Sequence, residues 1–176
     1  MAGYASAVSR RVVIADAGPL IALARADSLP WLRQLFRRVS MTTTVQREIL
    51  PDGADFADRQ LWERTLAEGW IEVVDVPRDS WKALNPGVDA GEASAIQLAL
   101  RWREDGAKVL LLMDDRAGRI EAEGCAIPLI GTAGLIALAK LEGLIPAARP
   151  VLEHMARSGY YLGQALIDAV LADLGE

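Results

Sequence analysis

Short runs of branched apolar residues alternate with longer amphipathic stretches along this chain. The apolar runs predict strands at 11–15, 39–41, 70–76, 109–113 and 127–130. Helical patterns fill the segments between them, except that proline and glycine predict a loop at 77–88. Strands that alternate with helices indicate a mainly parallel sheet with helices on both faces. We therefore predict an α/β fold, a three-layer α/β/α sandwich with a mainly parallel central sheet.

The length of the chain favours one domain. Its 176 residues are enough for one well-buried core and too few for two ordinary ones. We expect a single domain over 1–176, with the helices from about residue 146 onward packed against it. The apolar stretch 126–145 is nearly as long as a membrane span, but a proline and two charged residues interrupt it, so we predict a strand, a turn and a helix there.

Acidic residues stand where the predicted strands end or where helices begin. Asp16 follows the first strand, Asp114 and Asp115 follow the fourth, and Glu48 and Glu92 lie in the first turns of two helices. The carboxyl ends of parallel strands share one edge of a sheet, where ligand sites of such folds gather. Because an unpaired buried charge is costly, a divalent metal ion is the natural compensator if these acids converge.

Most of these acids also have an ordinary structural explanation. Asp16 could cap the N-terminus of a helix, and Glu48 could interact favourably with a helix macrodipole. Asp89 and Glu92 have the spacing of a capping box, and capping is the best explanation for Asp89. These alternatives stay open for each residue taken singly.

The adjacent pair Asp114 and Asp115 is harder to explain by capping, because neighbouring acids repel each other and one would suffice as a cap. Arg116 and Arg119 could neutralise the pair in an ion network. A metal ion is the simpler explanation.

Few other ligand types are present. His154 is the only histidine and is expected on a helix surface or at the edge of the core; Cys125, the only cysteine, cannot form an internal disulfide or a thiolate zinc site. A carboxylate site without histidine suits Mg²⁺ or Mn²⁺ better than zinc, and its most common use is phosphoryl chemistry.

Composition adds expectations about partners and location. The net charge of −5 argues against wholesale nonspecific binding to nucleic acid, but it does not exclude a nuclease, because a carboxylate site itself contributes negative charges. The single cysteine and the lack of a long apolar core after Arg10 and Arg11 favour a cytoplasmic protein with no secretory signal and no membrane attachment.

Five segments follow one another in an order known from a protein family: 13–24, 44–49, 89–99, 112–116 and 130–132. Together they resemble the PIN domain, a family of metal-dependent ribonucleases, and within it the branch akin to VapC toxins of prokaryotic toxin–antitoxin systems. The resemblance spans most of the chain.

By this resemblance, four acids hold the metal ion and carry catalysis: Asp16, Glu48, Glu92 and Asp115. Asp114 beside them is a fifth candidate ligand. Many members have Thr or Ser two residues before the last acid, where this chain has Met113. This departure and the doubled acid leave open which of Asp114 and Asp115 is the main ligand.

The resemblance also implies an activity and partners. The activity is hydrolysis of an RNA phosphodiester by metal-activated water, with Mg²⁺ or Mn²⁺ as cofactor and 5′-phosphate products. The partners are the RNA substrate, a small cognate antitoxin protein and a second copy of the chain in a homodimer. Four basic residues are candidates for steering phosphate: Arg25, Arg116, Arg119 and Lys140. We expect Thr132 to cap a helix, and Tyr160 and Tyr161 to pack in the core or serve an interface.

Two other functions compete with a ribonuclease. A magnesium phosphohydrolase of the haloacid dehalogenase type usually has a second Asp two residues after the first, where this chain has Gly18. A non-catalytic scaffold would use the same acids as caps and ion pairs. Metal binding distinguishes the scaffold from the nuclease.

Overall fold

Parallel strands form a sheet at the centre of the protein. A computed structural model describes residues 12–53, 58–77, 81–160 and 162–176. The strands within these residues are β1 (Val12–Ala15), β2 (Val39–Thr42), β3 (Ile71–Val74), β4 (Val109–Leu112) and β5 (Leu129–Ile130). They pair in the order β3-β2-β1-β4-β5, and each pairing of neighbours is parallel. The predicted parallel sheet is confirmed.

Helices connect these strands and cover the sheet. They are α1 (Ala17–Arg25), α2 (Leu29–Phe36), α3 (Thr43–Ile49), α4 (Arg59–Ala67), α5 (Ala90–Glu104), α6 (Arg116–Gly124), α7 (Thr132–Leu141), α8 (Arg149–Arg157) and α9 (Gln164–Leu174). The stretch predicted as strand, turn and helix contains β5 and α7. Among the described residues, no helix is long and apolar enough to cross a membrane.

The two faces of the sheet build two separate apolar clusters. Val13 of β1 and Leu110 of β4 lie in one cluster, whereas Ile14 and Leu111, their neighbours along the same strands, lie in the other. Side chains of a strand alternate between its faces, which explains this division. Helices α5 and α6 supply buried residues to the Ile14 cluster, and the remaining helices supply the Val13 cluster. The protein is therefore a three-layer α/β/α sandwich, as predicted.

Three predicted strands are longer than the observed ones. The strand predicted at 109–113 ends at Leu112, that at 70–76 covers only Ile71–Val74, and that at 127–130 covers only Leu129–Ile130. The register of β3 spans the four residues of β2, whereas β5 pairs with β4 only at Leu111 and Leu112. Pro128 has no amide hydrogen to donate to a neighbouring strand, which accounts for the late start of β5. The apolar pattern indicates burial, whereas strand length depends on the partner. Arg11, the predicted first residue of β1, lies outside the described residues.

A buried glutamate fixes the segment that precedes α5. The carboxylate of Glu121 on α6 accepts hydrogen bonds from the backbone amides of Leu84 at 2.8 Å and Asn85 at 3.0 Å. These bonds compensate the burial of Glu121, which is 8% exposed. The described part of the predicted 77–88 loop contains no helix or strand, which agrees with its proline and glycine content.

Helices α8 and α9 pack against the Val13 cluster through Leu152, Met155 and Ile167. His154 of α8 is exposed, as expected of a helix-surface residue.

Glu176 joins these two helices to α7. Its carboxylate accepts hydrogen bonds from the amides of Ala148 at 2.8 Å and Arg149 at 3.0 Å, at the start of α8. The ammonium group of Lys140 lies 2.5 Å from the same carboxylate. The hydrogen bond from Lys140 and the two amides lower the pKa of Glu176 to about 2. Lys140, a candidate for steering phosphate, is therefore engaged in the packing of these helices.

We expect Glu176→Gln to destabilise the protein at neutral pH. A carboxylate whose pKa is lower in the folded state stabilises that state above its unfolded pKa near 4.5, and the contribution is lost as pH falls towards a folded pKa of about 2. Denaturation curves should therefore show a lower midpoint for the variant at about pH 7 and a narrowing difference as pH falls below about 5. Glu123→Gln, at an exposed position of α6, is the control and should leave the midpoint nearly unchanged.

Candidate active site

Strand pairing brings the first and last acids of the sequence pattern together. Ala15 of β1 pairs with Leu112 of β4, and the amide of Asp16 donates a hydrogen bond of 3.0 Å to the carbonyl oxygen of Leu112. Asp16 and the pair that follows β4 thus lie side by side at the carboxyl edge of the sheet. This is the place where the sequence pattern predicted a site.

Asp16 is buried beneath this edge without full compensation. The residue is 6% exposed, and its Oδ1 atom has no hydrogen-bond partner among the described residues. It occupies the N-cap position of α1 but makes no side-chain capping bond. Burial raises the pKa of Asp16 to about 6, and repulsion from Asp89 and Asp114 adds to this rise. The backbone amides of Ala17 and Gly18 lower the pKa but do not outweigh the effect of burial. Capping therefore does not account for Asp16.

Glu48 approaches the site from α3, whose first turn is fixed by Thr42. The hydroxyl of Thr42 caps the helix by accepting a hydrogen bond of 3.1 Å from the amide of Val45. The carboxylate of Glu48 lies so close to Gly91 that a Cβ atom at Gly91 would stand 2.5 Å from its Oε1 atom. Partial burial raises the pKa of Glu48 to about 7, and repulsion from Asp89 and Asp16 acts in the same direction.

Glu92 and Asp89 form the predicted capping box at the start of α5. The amide of Glu92 donates to Asp89 at 2.8 Å, and the amide of Asp89 donates to Glu92 at 3.1 Å. Glu92 is 3% exposed, and its burial raises its pKa to about 7 although the amide of Asp89 lowers it. Repulsion from Asp89, Asp115 and Asp16 raises the pKa of Glu92 further. The capping bond therefore does not isolate Glu92 from the other acids.

Asp89 has a larger electrostatic role than the sequence pattern suggested. Its charge raises the pKa of Asp16, Glu48 and Glu92. Capping is the best explanation of Asp89 from its sequence, and in the structure the charge of this capping residue also acts on the neighbouring acids. A capping box fully explains the spacing of Asp89 from Glu92, so this spacing does not indicate the effect of Asp89 on the other acids.

The doubled acid divides into two different environments. Asp115 is exposed and caps α6, since its Oδ1 atom accepts a hydrogen bond of 2.6 Å from the amide of Ala117. Asp114 is half-buried and accepts hydrogen bonds from the amide of Thr132 at 2.8 Å and from its hydroxyl at 2.5 Å. The hydroxyl of Tyr160 donates to the same carboxylate.

One expectation about these partners needs correction. Gly131, not Thr132, occupies the N-cap position of α7, and the hydroxyl of Thr132 is used by Asp114 instead of the helix. Tyr160 packs against the core, as expected, and its hydroxyl also reaches the site. Tyr161 lies outside the described residues. Burial and the charge of Asp114 raise the pKa of Tyr160 above its usual range, which keeps the hydroxyl protonated as a donor.

Among the described residues, no basic side chain forms an ion pair with the clustered acids. Within the described residues, the ion pairs join other partners, and Arg119 donates to the carbonyl oxygen of Met113 at 3.0 Å. Arg116 makes no ion pair with Asp114 or Asp115 in this part of the chain. The ion network that could have explained the doubled acid is therefore not formed there.

The carboxylate oxygens of these acids suit a hard divalent cation, but the described side chains are not arranged as a complete metal site. In the part of the chain that the structure describes, no three acidic, histidine or cysteine side chains are placed so that they could hold one metal ion together. Carboxylate oxygens are nevertheless the donors that Mg²⁺ and Mn²⁺ prefer, and the unpartnered Oδ1 of Asp16 is such a donor. Glu48 and Asp115 are exposed, whereas Asp16 is buried.

Comparison with known proteins identifies the family. The sequence profile of the PIN domain matches residues 12–176, and the chain belongs to the PIN-domain family. PIN domains are typically nucleases that act on RNA or other nucleic acid and generally use divalent metal ions. A search of curated proteins finds no match to this chain.

We expect Asp16→Asn to stabilise the metal-free protein. The pKa values of Asp16, about 6, and of Glu48 and Glu92, about 7, exceed their usual values of 3.8 and 4.5. The folded state therefore binds more protons than the unfolded state between about pH 4 and pH 7, so these acids reduce its stability as pH rises through that window. The variant should gain about 1–2 kcal/mol above about pH 7 and little at about pH 4 or below, measured by urea denaturation in a chelator.

Asp52→Asn, at an exposed turn residue, is the matched control and should show no such pH-dependent gain. A loss of stability in Asp16→Asn at every pH would show that its carboxylate makes a net favourable structural contact.

We expect Gly91→Ala to displace the carboxylate of Glu48, because the new Cβ atom would stand 2.5 and 2.7 Å from its two oxygens. The exposed side chain of Glu48 can rotate away, so the fold should persist with a stability change below about 1 kcal/mol. In an NMR titration, the pKa of Glu48 should fall from about 7 towards its usual range. Gly124→Ala, which meets no atom within 4 Å, is the control; an unchanged titration of Glu48 in Gly91→Ala would contradict the proposed close contact.

Proposed function

We propose that this protein is a metal-dependent endoribonuclease of the VapC-like branch, acting as the toxin of a toxin–antitoxin pair. The observation that carries the proposal is the buried Oδ1 atom of Asp16, which lacks a hydrogen-bond partner among the described residues and faces acids that repel it. Family membership supports a nuclease in general. The metal, the RNA substrate and the toxin role are our proposals.

The proposed ligands of Mg²⁺ or Mn²⁺ are Asp16, Glu48, Glu92 and Asp115, with Asp114 beside them. When bound, the divalent ion activates water for attack on phosphorus and stabilises the charge on the leaving 3′ oxygen. The buried Asp16 and Glu92 form the floor of this site, whereas Glu48 and Asp115 are exposed on the side from which RNA can approach. These outer carboxylates are suited to orienting the attacking water.

Arg116 is the best placed of the four basic residues considered for phosphate. It is exposed at the start of α6, directly after Asp115. Lys140 is held by Glu176, and Arg119 donates to a backbone carbonyl. Arg25 ends α1, about 13 Å along the helix from Asp16 at 1.5 Å per residue.

A cavity beside the acids could accommodate a nucleotide base. Its volume is about 280 Å³, and Trp81 lines it together with Thr44 of α3 and Ala90 at the start of α5. Base stacking on an aromatic ring is a common mode of single-strand RNA binding. Trp62 and Trp70, by contrast, are buried in the core.

The remaining proposals rest on the resemblance and on composition. We propose that the chain forms one domain, that it dimerises, that a small antitoxin binds it and that it acts in the cytoplasm. Exposed apolar side chains available for such contacts include Leu141 and Leu166, which are 64% and 48% exposed.

A non-catalytic scaffold is the second candidate. The observation that favours it is that no three potential ligands converge among the described residues, while Asp89 and Asp115 act as helix caps. This function predicts that Mg²⁺ and Mn²⁺ leave the melting temperature unchanged, whereas a nuclease should be stabilised by them.

We expect the protein to cleave members of a defined panel of single-stranded RNAs in the presence of Mn²⁺. Asp16→Asn and Asp115→Asn should each reduce cleavage by about 100-fold or more. Substitution of a residue that only supports a metal ligand lowers activity by about 10–100-fold, and loss of a ligand should cost at least as much. Denaturing gels of 5′-labelled RNA measure the rates, and Asp52→Asn should cleave like the wild type. Equal cleavage by all four proteins would point to a contaminating nuclease and remove the assignment.

A further inference from the structure

We propose that Tyr160 is a positioning residue of the site, whose hydroxyl, together with Thr132, fixes the carboxylate of Asp114 for divalent metal binding. The inference rests on the proposed function, in which Asp114 takes part in the metal site. It assigns a role to the segment after α8, which the family resemblance did not connect with the acids.

Three donors converge on the carboxylate of Asp114. The amide of Thr132 donates to Oδ1 at 2.8 Å, the hydroxyl of Thr132 donates to Oδ2 at 2.5 Å, and the hydroxyl of Tyr160 donates to the same Oδ2 atom. They come from α7 and from the segment after α8, so the tertiary fold orients this carboxylate. Carboxylates that bind metal ions are held by such outer hydrogen bonds, which set the orientation of the ligand.

The residues that carry these donors are themselves fixed. Thr132 is fully buried at the start of α7, and a Cβ atom at Gly131 would stand 2.8 Å from Oδ1 of Asp114, so glycine permits the close approach. The amide of Tyr160 donates to the carbonyl oxygen of Met155 at 3.1 Å, after a turn in which Gly159 has φ +83°. The half-buried ring of Tyr160 packs against the Val13 cluster.

The neighbouring acid has a different arrangement. Asp115 is exposed, and its recorded side-chain bond is local, to the amide of Ala117 two residues away. The donors on Asp114 come from residues 18 and 46 positions away. Of the two adjacent acids, Asp114 is therefore the one whose carboxylate is oriented by residues distant in sequence. The bond from Tyr160 connects this carboxylate to the segment after α8.

The test is a double-mutant cycle with Tyr160→Phe and Asp114→Asn, read by Mn²⁺ affinity in isothermal titration calorimetry. Tyr160→Phe removes only the hydroxyl, and we expect it to weaken Mn²⁺ binding about 10-fold in the wild-type background. In the Asp114→Asn background, the same substitution should have no further effect, because the hydroxyl acts through Asp114. Ser158→Ala, which removes a hydroxyl bonded to the carbonyl of His154 in the same segment, is the matched control and should bind like the wild type.

Thr132→Val provides a second variant, since it removes the other hydroxyl donor to Oδ2 and should weaken binding in the same direction. Thermal melts of each metal-free variant establish that it is folded. Wild-type affinity in Tyr160→Phe, or an equal loss in the Asp114→Asn background, would overturn the role of Tyr160 and leave the nuclease proposal standing. Failure of the wild type to bind Mn²⁺ would overturn both.

Discussion

Parallel pairing of β1 with β4 carries Asp16 and Asp114 to one edge of the sheet, and the packing of helices over that edge removes Asp16 from water. The free energy of this desolvation is not offset by any hydrogen bond to Oδ1 or any ion pair of Asp16 among the described residues. A carboxylate in such surroundings either takes up a proton or binds a cation. Repulsion from Asp89 and Asp114 increases this need.

The same acids also hold the local structure together. Asp89 and Glu92 begin α5 with reciprocal bonds, and Asp115 begins α6. Helix N-termini favour negative charge, so each acid is well placed for its own helix even though the group repels. Capping and ligand binding are compatible in one carboxylate, because a capping bond occupies only part of the acceptor capacity of its oxygens. A capping role therefore does not exclude a ligand role for Asp115 or Glu92.

Sequence reasoning reached the fold and the neighbourhood of the candidate site for a physical reason. Alternating strands and helices favour a parallel sheet, and a parallel sheet gathers the ends of its strands at one edge, so Asp16 and Asp114 were expected at the same edge. That they are neighbours there depends on the pairing of β1 with β4, which the alternation does not fix. The approach of Glu48 to Gly91 could not be predicted, because it depends on how α3 and α5 pack. The hydroxyl of Thr132 was assigned to its own helix because a local cap is the usual role, whereas the fold directs it to Asp114. The bond from Tyr160 depends on the docking of α8, which no local pattern encodes.

The strand order has a consequence for how the chain folds during its synthesis. β1 is the first strand of the described chain and lies at the centre of the sheet, with β2 on one side and β4 on the other. During synthesis from the N-terminus, β2 emerges soon after β1, but the opposite edge of β1 stays unpaired until β4 has left the ribosome. Long-range pairings of this kind form late and leave strand edges exposed for self-association. A chain interrupted before β4 would carry an open central edge and an incomplete set of acids, so shortened products should be both inactive and prone to aggregate.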